Sequence, residues 1–181
     1  MKDSLQNNRQ MANIRYESPA DVAAIRHVNE ETFRDSDAAN LIDDLRRAGK
    51  VDLSLVAVCD KQVVGHVLFS PLIPPERVET SVRGTALAPL TVLPAFQNRG
   101  IGSSLVITGL QMSKEAGFGF VVVLGPTDYY SRFGFVPASD FGLDSEYRAG
   151  DHFMAMELGK NSLAGISGLV QYQPEFKAHG C

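Results

Sequence analysis

Apolar residues between positions 20 and 50 recur every three or four residues, the spacing of one helix face. Ser18, Pro19 and Asp21 come just before them and suit the start of a helix, because they cap free N–H groups, fix the first turn and complement the positive helix end. Gly49 favours a helix end. The sequence therefore predicts two amphipathic helices. Their apolar positions are Val22, Ile25, Val28 and Phe33 in the first and Leu41, Ile42 and Leu45 in the second.

Strands are predicted where the pattern alternates or becomes rich in β-branched residues. A short strand is expected at 13–17, and residues 53–59 and 63–70 flank a polar turn, which predicts an antiparallel hairpin. Prolines make 71–79 a loop, and residues 85–92 follow as a further strand. The first half of the chain thus combines two helices with four strands.

The second half of the chain alternates helix and strand. A glycine-rich loop at 97–102 leads into an amphipathic helix that Gly117 ends, and the apolar run 120–124 predicts a strand buried on both faces. A short helix or turn follows at 126–132. Two more strands are predicted, at 153–158 and 169–172.

The order of these elements predicts the fold class. Two helices, three strands, a helix, a strand, a short helix and further strands make a single α/β domain with a mixed sheet and helices on both faces. We assign this domain to residues 13–176, with a flexible tail or added extension at 1–12 and a second tail at 177–181. A length of 181 residues leaves little room for a second domain.

Composition narrows the function classes. Hydrophobic residues make up 44% of the chain and charged residues 21%, as in soluble globular proteins. The net charge of -4 argues against nucleic-acid binding, which needs a basic face, and the apolar runs are too short to span a membrane. Cys59 and Cys181 form neither a metal-site pattern nor a disulfide framework. We therefore expect a cytoplasmic protein with no nucleic-acid partner, no membrane association and no metal.

The loop before the central helix has the chemistry of an anion site. Residues 97–103 read QNRGIGS. Gly100 and Gly102 let a ligand approach the backbone, the helix start offers unpaired N–H groups, and Arg99 adds a positive charge. The loop fits neither the P-loop nor the dinucleotide fingerprint, because no Lys-Ser/Thr pair and no third glycine follow. Taken alone, two glycines at this spacing are equally compatible with a tight turn that binds nothing.

The loop and its surroundings resemble the GNAT superfamily of N-acetyltransferases. The family's coenzyme A loop has the pattern Gln/Arg-x-x-Gly-x-Gly/Ala, which Gln97, Gly100 and Gly102 match. Residues 88–94, APLTVLP, resemble the family's fourth strand, and residues 129–135, YYSRFGF, resemble the segment after its fifth strand. The second segment is especially similar to a bacterial subgroup called YhbS-like. The likeness covers nearly the whole predicted domain.

The resemblance implies a fold, a cosubstrate and a reaction. The fold is that of acyl-CoA N-acyltransferases, whose mostly antiparallel central sheet is splayed at strands 4 and 5. Acetyl-CoA is the implied cosubstrate, and its acetyl group passes by direct attack on the thioester to the primary amine of a small molecule or peptide. A homodimer is left open. The implied cofactor-binding residues are Leu90, Val92, Leu93, Gln97, Asn98, Arg99, Gly100, Ile101, Gly102, Ser103, Tyr130 and Arg132.

Tyr130 is the catalytic candidate. A tyrosine hydroxyl is protonated at neutral pH, so it can donate a proton or a hydrogen bond to the departing sulfur. The resemblance places the general acid at this position, four residues before Gly134. Packing against the neighbouring phenylalanines is the alternative role. Arg132 is equally compatible with a phosphate contact and with an exposed turn, and Tyr129 with the core and with an acceptor pocket.

The other chemical roles stay open at this level. A backbone N–H at Val92 is the candidate donor to the thioester carbonyl. No choice is made among the residues that could accept the proton of the amine. The bases considered are Glu30, Glu31, Asp44, His66 and His152. Two non-enzymatic alternatives remain: an acyl-CoA-binding sensor without catalysis, and an interaction module that uses its acidic surface.

Overall fold

The computed structural model describes residues 12–75 and 81–180. Most of the tail predicted at 1–12 lies outside the described residues, and so do residues 76–79 of the predicted proline-rich loop and residue 181 of the second tail. The first described elements are β1 Asn13–Tyr16, α1 Val22–Phe33 and α2 Asp37–Arg47. Both helices lie where the apolar pattern predicts them.

A capping box fixes the approach to α1. The Asp21 carboxylate accepts hydrogen bonds from the backbone N–H and the hydroxyl of Ser18, both at 2.7 Å. Arg15 of β1 donates two hydrogen bonds to the same carboxylate, at 2.7 and 2.9 Å. These contacts tie the first strand to the start of the first helix.

The remaining helices and strands follow in chain order. They are β2 Leu53–Cys59, β3 Gln62–Pro71, β4 Gly84–Val92, α3 Ile101–Glu115, β5 Phe120–Leu124, α4 Thr127–Tyr130, β6 Val136–Pro137, β7 Leu143–Ser145, β8 Phe153–Glu157, β9 Gly168–Val170 and α5 Pro174–Ala178. The main sheet has seven strands in the order β1-β2-β3-β4-β5-β8-β6, and β7 pairs with β9 in a separate two-stranded sheet. In the main sheet β4 and β5 are parallel, whereas the other neighbours are antiparallel.

The parallel strands β4 and β5 separate partway along. Gly84 pairs with Phe120 and Leu87 with Val123, where the pairing ends. β4 continues to Val92 and keeps only β3 as its neighbour there. The predicted splay at strands 4 and 5 is therefore confirmed, and it leaves one edge of β4 open in the middle of the sheet.

Helices cover both faces of the sheet, as predicted. On one face, Gly109 of α3 lies so close to Phe69 of β3 that an added Cβ would sit 2.5 Å from the ring. On the other face, the His66 ring contacts Asn29 of α1 at 3.4 Å. Since alternate residues of a strand point to opposite faces, β3 is sandwiched between α1 and α3.

Some short elements differ from the expectation. β6 and β7 have two and three residues, too few to show an alternating pattern, and were not predicted. The strand predicted at 169–172 forms β9, which joins β7 instead of the main sheet. α5 runs past residue 176, the predicted end of the domain, and Lys177 forms an ion pair with Glu146. Within the described ranges, no helix has the length and hydropathy needed to cross a bilayer.

A buried polar chain crosses the core between α1 and the sheet. The His66 side chain is fully buried, with Nδ1 facing the Asn29 amide at 3.4 Å and Nε2 lying 2.9 Å from Ser54 Oγ. Ser54 donates to the Glu17 carboxylate, which accepts two further bonds from Arg46 at 2.9 and 2.7 Å. Because Ser54 donates to Glu17, it accepts from His66, whose proton therefore lies on Nε2. Burial lowers the pKa of His66 to about 3, so the ring is neutral.

We expect this histidine to make stability depend on pH. The unfolded chain binds a proton at His66 below a pH of about 6.5, whereas the folded chain does not, so acid favours the unfolded state. The free energy of unfolding should fall by about 1.4 kcal/mol through this group between about pH 7.5 and about pH 5.5. Urea unfolding at a series of pH values measures the slope.

His66→Gln and His27→Gln serve as the matched pair for this measurement. His27 is exposed, so its replacement should leave the slope of the wild-type protein in place. The His66 variant is expected to be less stable at every pH, because it disturbs the polar chain, but its slope in this window should be flatter. Identical slopes in the two variants would contradict a neutral buried His66.

Candidate functional site

The loop before α3 presents a helix start that no side chain caps in the described part of the protein. A 3-10 turn at Pro94–Phe96 ends β4, Asn98 has a φ of 59°, and Gly100 has a φ of 83° at the N-cap of α3. The left-handed conformation at Gly100 is one that glycine adopts without strain. The first N–H groups of α3 therefore remain available to an anion, and the helix dipole adds positive potential there.

A cavity of about 420 Å³ lies in front of this helix start. Most of the residues predicted to bind a cofactor line it, and Phe96 and Tyr129 complete the wall. The lining residues are Val92, Phe96, Gln97, Asn98, Gly100, Ile101, Gly102, Ser103, Tyr129 and Arg132. The loop that the sequence motif marks is thus the loop that borders this cavity.

The two arginines of the prediction differ in position. Arg99 lies outside the lining: its guanidinium donates to Ala95 C=O at 2.7 Å and stacks on Phe96 at 5.1 Å. Arg132 lines the cavity, with its guanidinium 4.5 Å from the centre of the Tyr129 ring and its Nε 3.1 Å from Tyr129 C=O. Arg132 is therefore the arginine that this structure brings to the cavity.

Tyr129 lines the cavity in front of α3. The sequence alone left its role undecided. A Cβ on Gly102 would lie 2.8 Å from the Tyr129 hydroxyl, so that hydroxyl rests on the backbone of the first turn of α3. Burial raises the pKa of Tyr129, while a hydrogen bond with Ser103 and the charge of Arg132 lower it. Because Gly102 has no side chain, the Tyr129 hydroxyl can lie this close to the backbone of α3.

The open edge of β4 carries backbone groups turned toward the splay. Alternate residues of an antiparallel strand face the same neighbour. Leu93 donates its N–H to Val64 at 2.9 Å and its carbonyl accepts from Phe96 at 2.8 Å, so the predicted backbone contact at Leu93 has both groups occupied within the protein. By the same alternation, Leu90 and Val92 turn their N–H and C=O groups away from β3 and toward the opening.

The carbonyl of Val92 is held by two neighbouring side chains. Gln97 Nε2 donates to it at 3.0 Å, and Thr32 Oγ1 of α1 lies 3.3 Å away. Gln97 thus links the loop to the strand edge through its side chain. The N–H of Val92 has no such side-chain acceptor among the described residues, and it faces the opening.

A second cavity of about 400 Å³ lies on the other side of the splay. β4, β5 and α4 form its floor, while α1, α2 and the carboxy-terminal segment form its walls. Its lining residues are Phe33, Asp35, Asp37, Ala38, Leu41, Leu87, Ala88, Pro89, Leu90, Leu124, Tyr130, Tyr147, Tyr172, Phe176, His179 and Gly180. Tyr130 lines this second cavity, whereas the preceding residue, Tyr129, lines the first.

Tyr130 is buried and tightly positioned. Only 6% of it is exposed, and its ring packs edge-on against Tyr129 at 5.0 Å and Phe135 at 5.7 Å. A Cβ on Gly125 would lie 2.5 Å from the ring, so a glycine is required at that turn. Burial, with a smaller contribution from Tyr129, raises the pKa of Tyr130 well above its usual range. The hydroxyl therefore stays protonated through the neutral and moderately alkaline range.

Three of the bases considered from the sequence have partners of their own in the structure. His66 is buried in the core, and His152 Nδ1 faces Gly125 C=O at 3.3 Å. Asp44 forms ion pairs with Arg47 and with His179, and these partners lower its pKa. None of the five candidates lines the second cavity.

The ionisable and aromatic groups that do line the second cavity come largely from distant parts of the chain. Asp35 and Asp37 flank the short turn between α1 and α2, and Tyr147, Tyr172 and His179 lie in the carboxy-terminal third. No local motif marks them, because only the packing of α5 beside α2 brings them together. Within residues 12–75 and 81–180, no group of three or more His, Cys, Asp or Glu side chains is placed to hold a metal ion.

Comparison with known proteins finds matches in one family. The model of the acetyltransferase (GNAT) family matches residues 16–135. The uncharacterized N-acetyltransferase YhbS of Escherichia coli K12 is 34% identical over 165 residues, covering 90% of this chain and 97% of that protein. The uncharacterized N-acetyltransferase YjhQ of the same strain is 34% identical over 131 residues, covering 71% of this chain and 72% of YjhQ.

Solved structures support the same assignment. The crystal structure of the E. coli GNAT family N-acetyltransferase YhbS in complex with CoA has a TM-score of 0.87 at 34% identity, covering 93% of each chain. A GNAT family acetyltransferase from Brucella melitensis in complex with acetyl-CoA has a TM-score of 0.75 at 35% identity, covering 92% of this chain and 99% of that one. This chain therefore belongs to the GNAT family of acetyltransferases.

Proposed function

We propose that this protein is an N-acetyltransferase that uses acetyl-CoA to acetylate the primary amine of a small molecule or peptide. The observation that carries the proposal is that two cavities lie beside the gap where β4 and β5 separate. Val92 and Tyr129 line the first cavity, and Leu90 and Tyr130 line the second. The first offers an uncapped helix start to an anion, and the second contains the buried hydroxyl of Tyr130. A cosubstrate with a diphosphate at one end and a thioester at the other fits across this opening. Such a reaction belongs in the cytoplasm, where acetyl-CoA is available.

The cofactor would bind in an extended form. Its pyrophosphate would accept hydrogen bonds from the N–H groups of residues 100–103, with Arg132 adding a charge-assisted contact. The pantetheine arm would lie along the open edge of β4 and pair with the outward backbone groups of Val92 and Leu90. CoA and acetyl-CoA in the two related GNAT structures support this choice of cosubstrate.

The chemistry would take place beside Tyr130. The amine nitrogen attacks the thioester carbonyl carbon, a C–N bond forms, and the C–S bond breaks with its electron pair moving to sulfur. An outward backbone N–H of β4, at Leu90 or Val92, would donate to the carbonyl oxygen as negative charge develops there. Tyr130 would donate its proton or a hydrogen bond to the sulfur, and the nitrogen would lose a proton to water or to a group at the mouth of the second cavity.

The raised pKa of Tyr130 suits a donor. A hydroxyl that remains protonated meets the departing sulfur ready to donate, across the pH range of an ordinary assay. A catalyst and a non-catalytic CoA-binding sensor differ on this point, because a sensor needs CoA affinity but no donor at the sulfur.

The first test of the proposal replaces Tyr130 by phenylalanine. We expect kcat to fall by a factor of about 10² to 10⁴, the usual contribution of a general acid. The Kd for CoA should change little, since the Tyr130 side chain lines the second cavity and not the helix-start cavity. Thiol release with a panel of primary amines measures turnover, and calorimetry measures CoA binding.

Tyr16→Phe provides the matched control, because Tyr16 lies on β1 with 61% of it exposed. This variant should keep wild-type turnover and affinity. Full turnover in Tyr130→Phe would remove the tyrosine from the mechanism. Saturable CoA binding without turnover by the wild-type protein on any amine would favour the sensor.

A second test compares the two arginines near the loop. Replacing Arg132 by glutamine should weaken CoA binding about tenfold at low salt, because it removes a charge-assisted contact to phosphate. Replacing Arg99 by glutamine should have a smaller effect, because its guanidinium points to Ala95 and Phe96 and away from the cavity. Calorimetric titration with CoA at two salt concentrations measures both. A larger loss in the Arg99 variant would contradict the placement of the diphosphate.

A further inference from the structure

The lining of the second cavity points to the class of acceptor. Resting on the proposed function, we infer that the acceptor is a primary amine with an apolar body that carries no carboxylate or phosphate. Free amino acids are thereby excluded as good acceptors, whereas the corresponding amines without the carboxylate are favoured.

The walls of the cavity are apolar and largely aromatic. Leu41 of α2 and Phe176 of α5 are almost fully buried, and Phe33 at the end of α1 is 45% exposed at the entrance. Such walls stabilise a hydrocarbon chain or ring by removing it from water. They offer little to a strongly hydrated group, which would lose its water on entry.

The mouth of the cavity is negatively charged. Asp35 and Asp37 are exposed there, and one Asp35 oxygen accepts the Asp37 backbone N–H at 3.0 Å. Among the described lining residues there is no lysine or arginine, and the basic residue present, His179, lies 2.7 Å from the Asp44 carboxylate. A cationic amine is attracted to this entrance, and an anionic group is repelled.

The interior of the cavity also favours an amine over an anionic group. Tyr172 lines the cavity, and its buried hydroxyl has no hydrogen-bond partner among the residues that the structure describes. Behind it, the Glu146 carboxylate accepts the Tyr172 backbone N–H at 3.1 Å. Burial raises the pKa of Tyr172 well above its usual range, with Glu146 among the smaller causes, so the hydroxyl is neutral. It can accept a hydrogen bond from an amine N–H, whereas the described lining offers no lysine or arginine to hold a carboxylate.

The test uses pairs of probes that differ only in the carboxylate. Phenethylamine is compared with phenylalanine, and 1,5-diaminopentane with lysine. For each pair we expect kcat/KM to be at least about tenfold higher for the amine without the carboxylate. Binding of each probe to the CoA-loaded protein is measured separately by calorimetry, so that selectivity is recorded even without turnover.

Variants at the mouth test the cause of the selectivity. Asp35→Asn keeps an oxygen for the Asp37 N–H but removes the charge, and combined with Asp37→Asn it should reduce the preference about fivefold. Asp37→Lys should reduce it further by attracting the carboxylate. Asp140→Asn removes an exposed carboxylate outside the cavity lining and should leave the preference unchanged. Circular dichroism verifies that each variant is folded.

The outcomes separate this inference from the proposed function. Turnover that is equal for both members of each pair, or higher with the amino acids, overturns the acceptor class and leaves the transferase intact. Selective binding without turnover overturns the transferase and supports the acceptor class. A preference that survives in both the double variant and Asp37→Lys overturns the role of the two carboxylates.

Discussion

The site depends on the point at which β4 and β5 stop pairing. Beyond Leu87 and Val123 the two parallel strands separate, although β4 continues for five more residues. A strand inside a sheet normally satisfies its backbone on both sides, so this gap leaves the N–H groups of Leu90 and Val92 facing an opening. Each cavity is lined by residues of β4 from this part of the strand and by one tyrosine of α4, Tyr129 in the first and Tyr130 in the second.

A strand with one open edge needs support from elsewhere. The support comes from the face of the sheet that α1 covers, where Thr91 donates to Asn29 Oδ1 at 3.3 Å. Asn29 in turn contacts His66, and its amide donates to Ile25 C=O at 2.9 Å. Because each member of this buried chain has a partner, the chain can be kept in the core at little cost in stability. It fixes α1 to β3 and β4 where pairing between β4 and β5 has ended.

The sequence predicted the parts of the molecule that local pattern encodes. The early helices, the hairpin and the helix-start loop follow from spacing within short segments, and residues 97–103 occur as one contiguous loop. The second cavity could not be found this way, because Asp35 and Tyr172 meet only through packing of distant elements. The sequence also could not distinguish the positions of Arg99 and Arg132, since no local pattern encodes which of the two side chains turns toward the cavity.

The short helix α4 explains why two adjacent tyrosines have different environments. Consecutive residues on a helix point about 100° apart, so Tyr129 and Tyr130 can face different cavities while their rings remain 5.0 Å apart. Gly102 makes room for the first hydroxyl and Gly125 for the second ring. A shift of α4 would therefore move both tyrosines together. One turn of helix thus couples the position of Tyr129 in the helix-start cavity to that of Tyr130 in the second cavity, and a glycine makes room at each contact point.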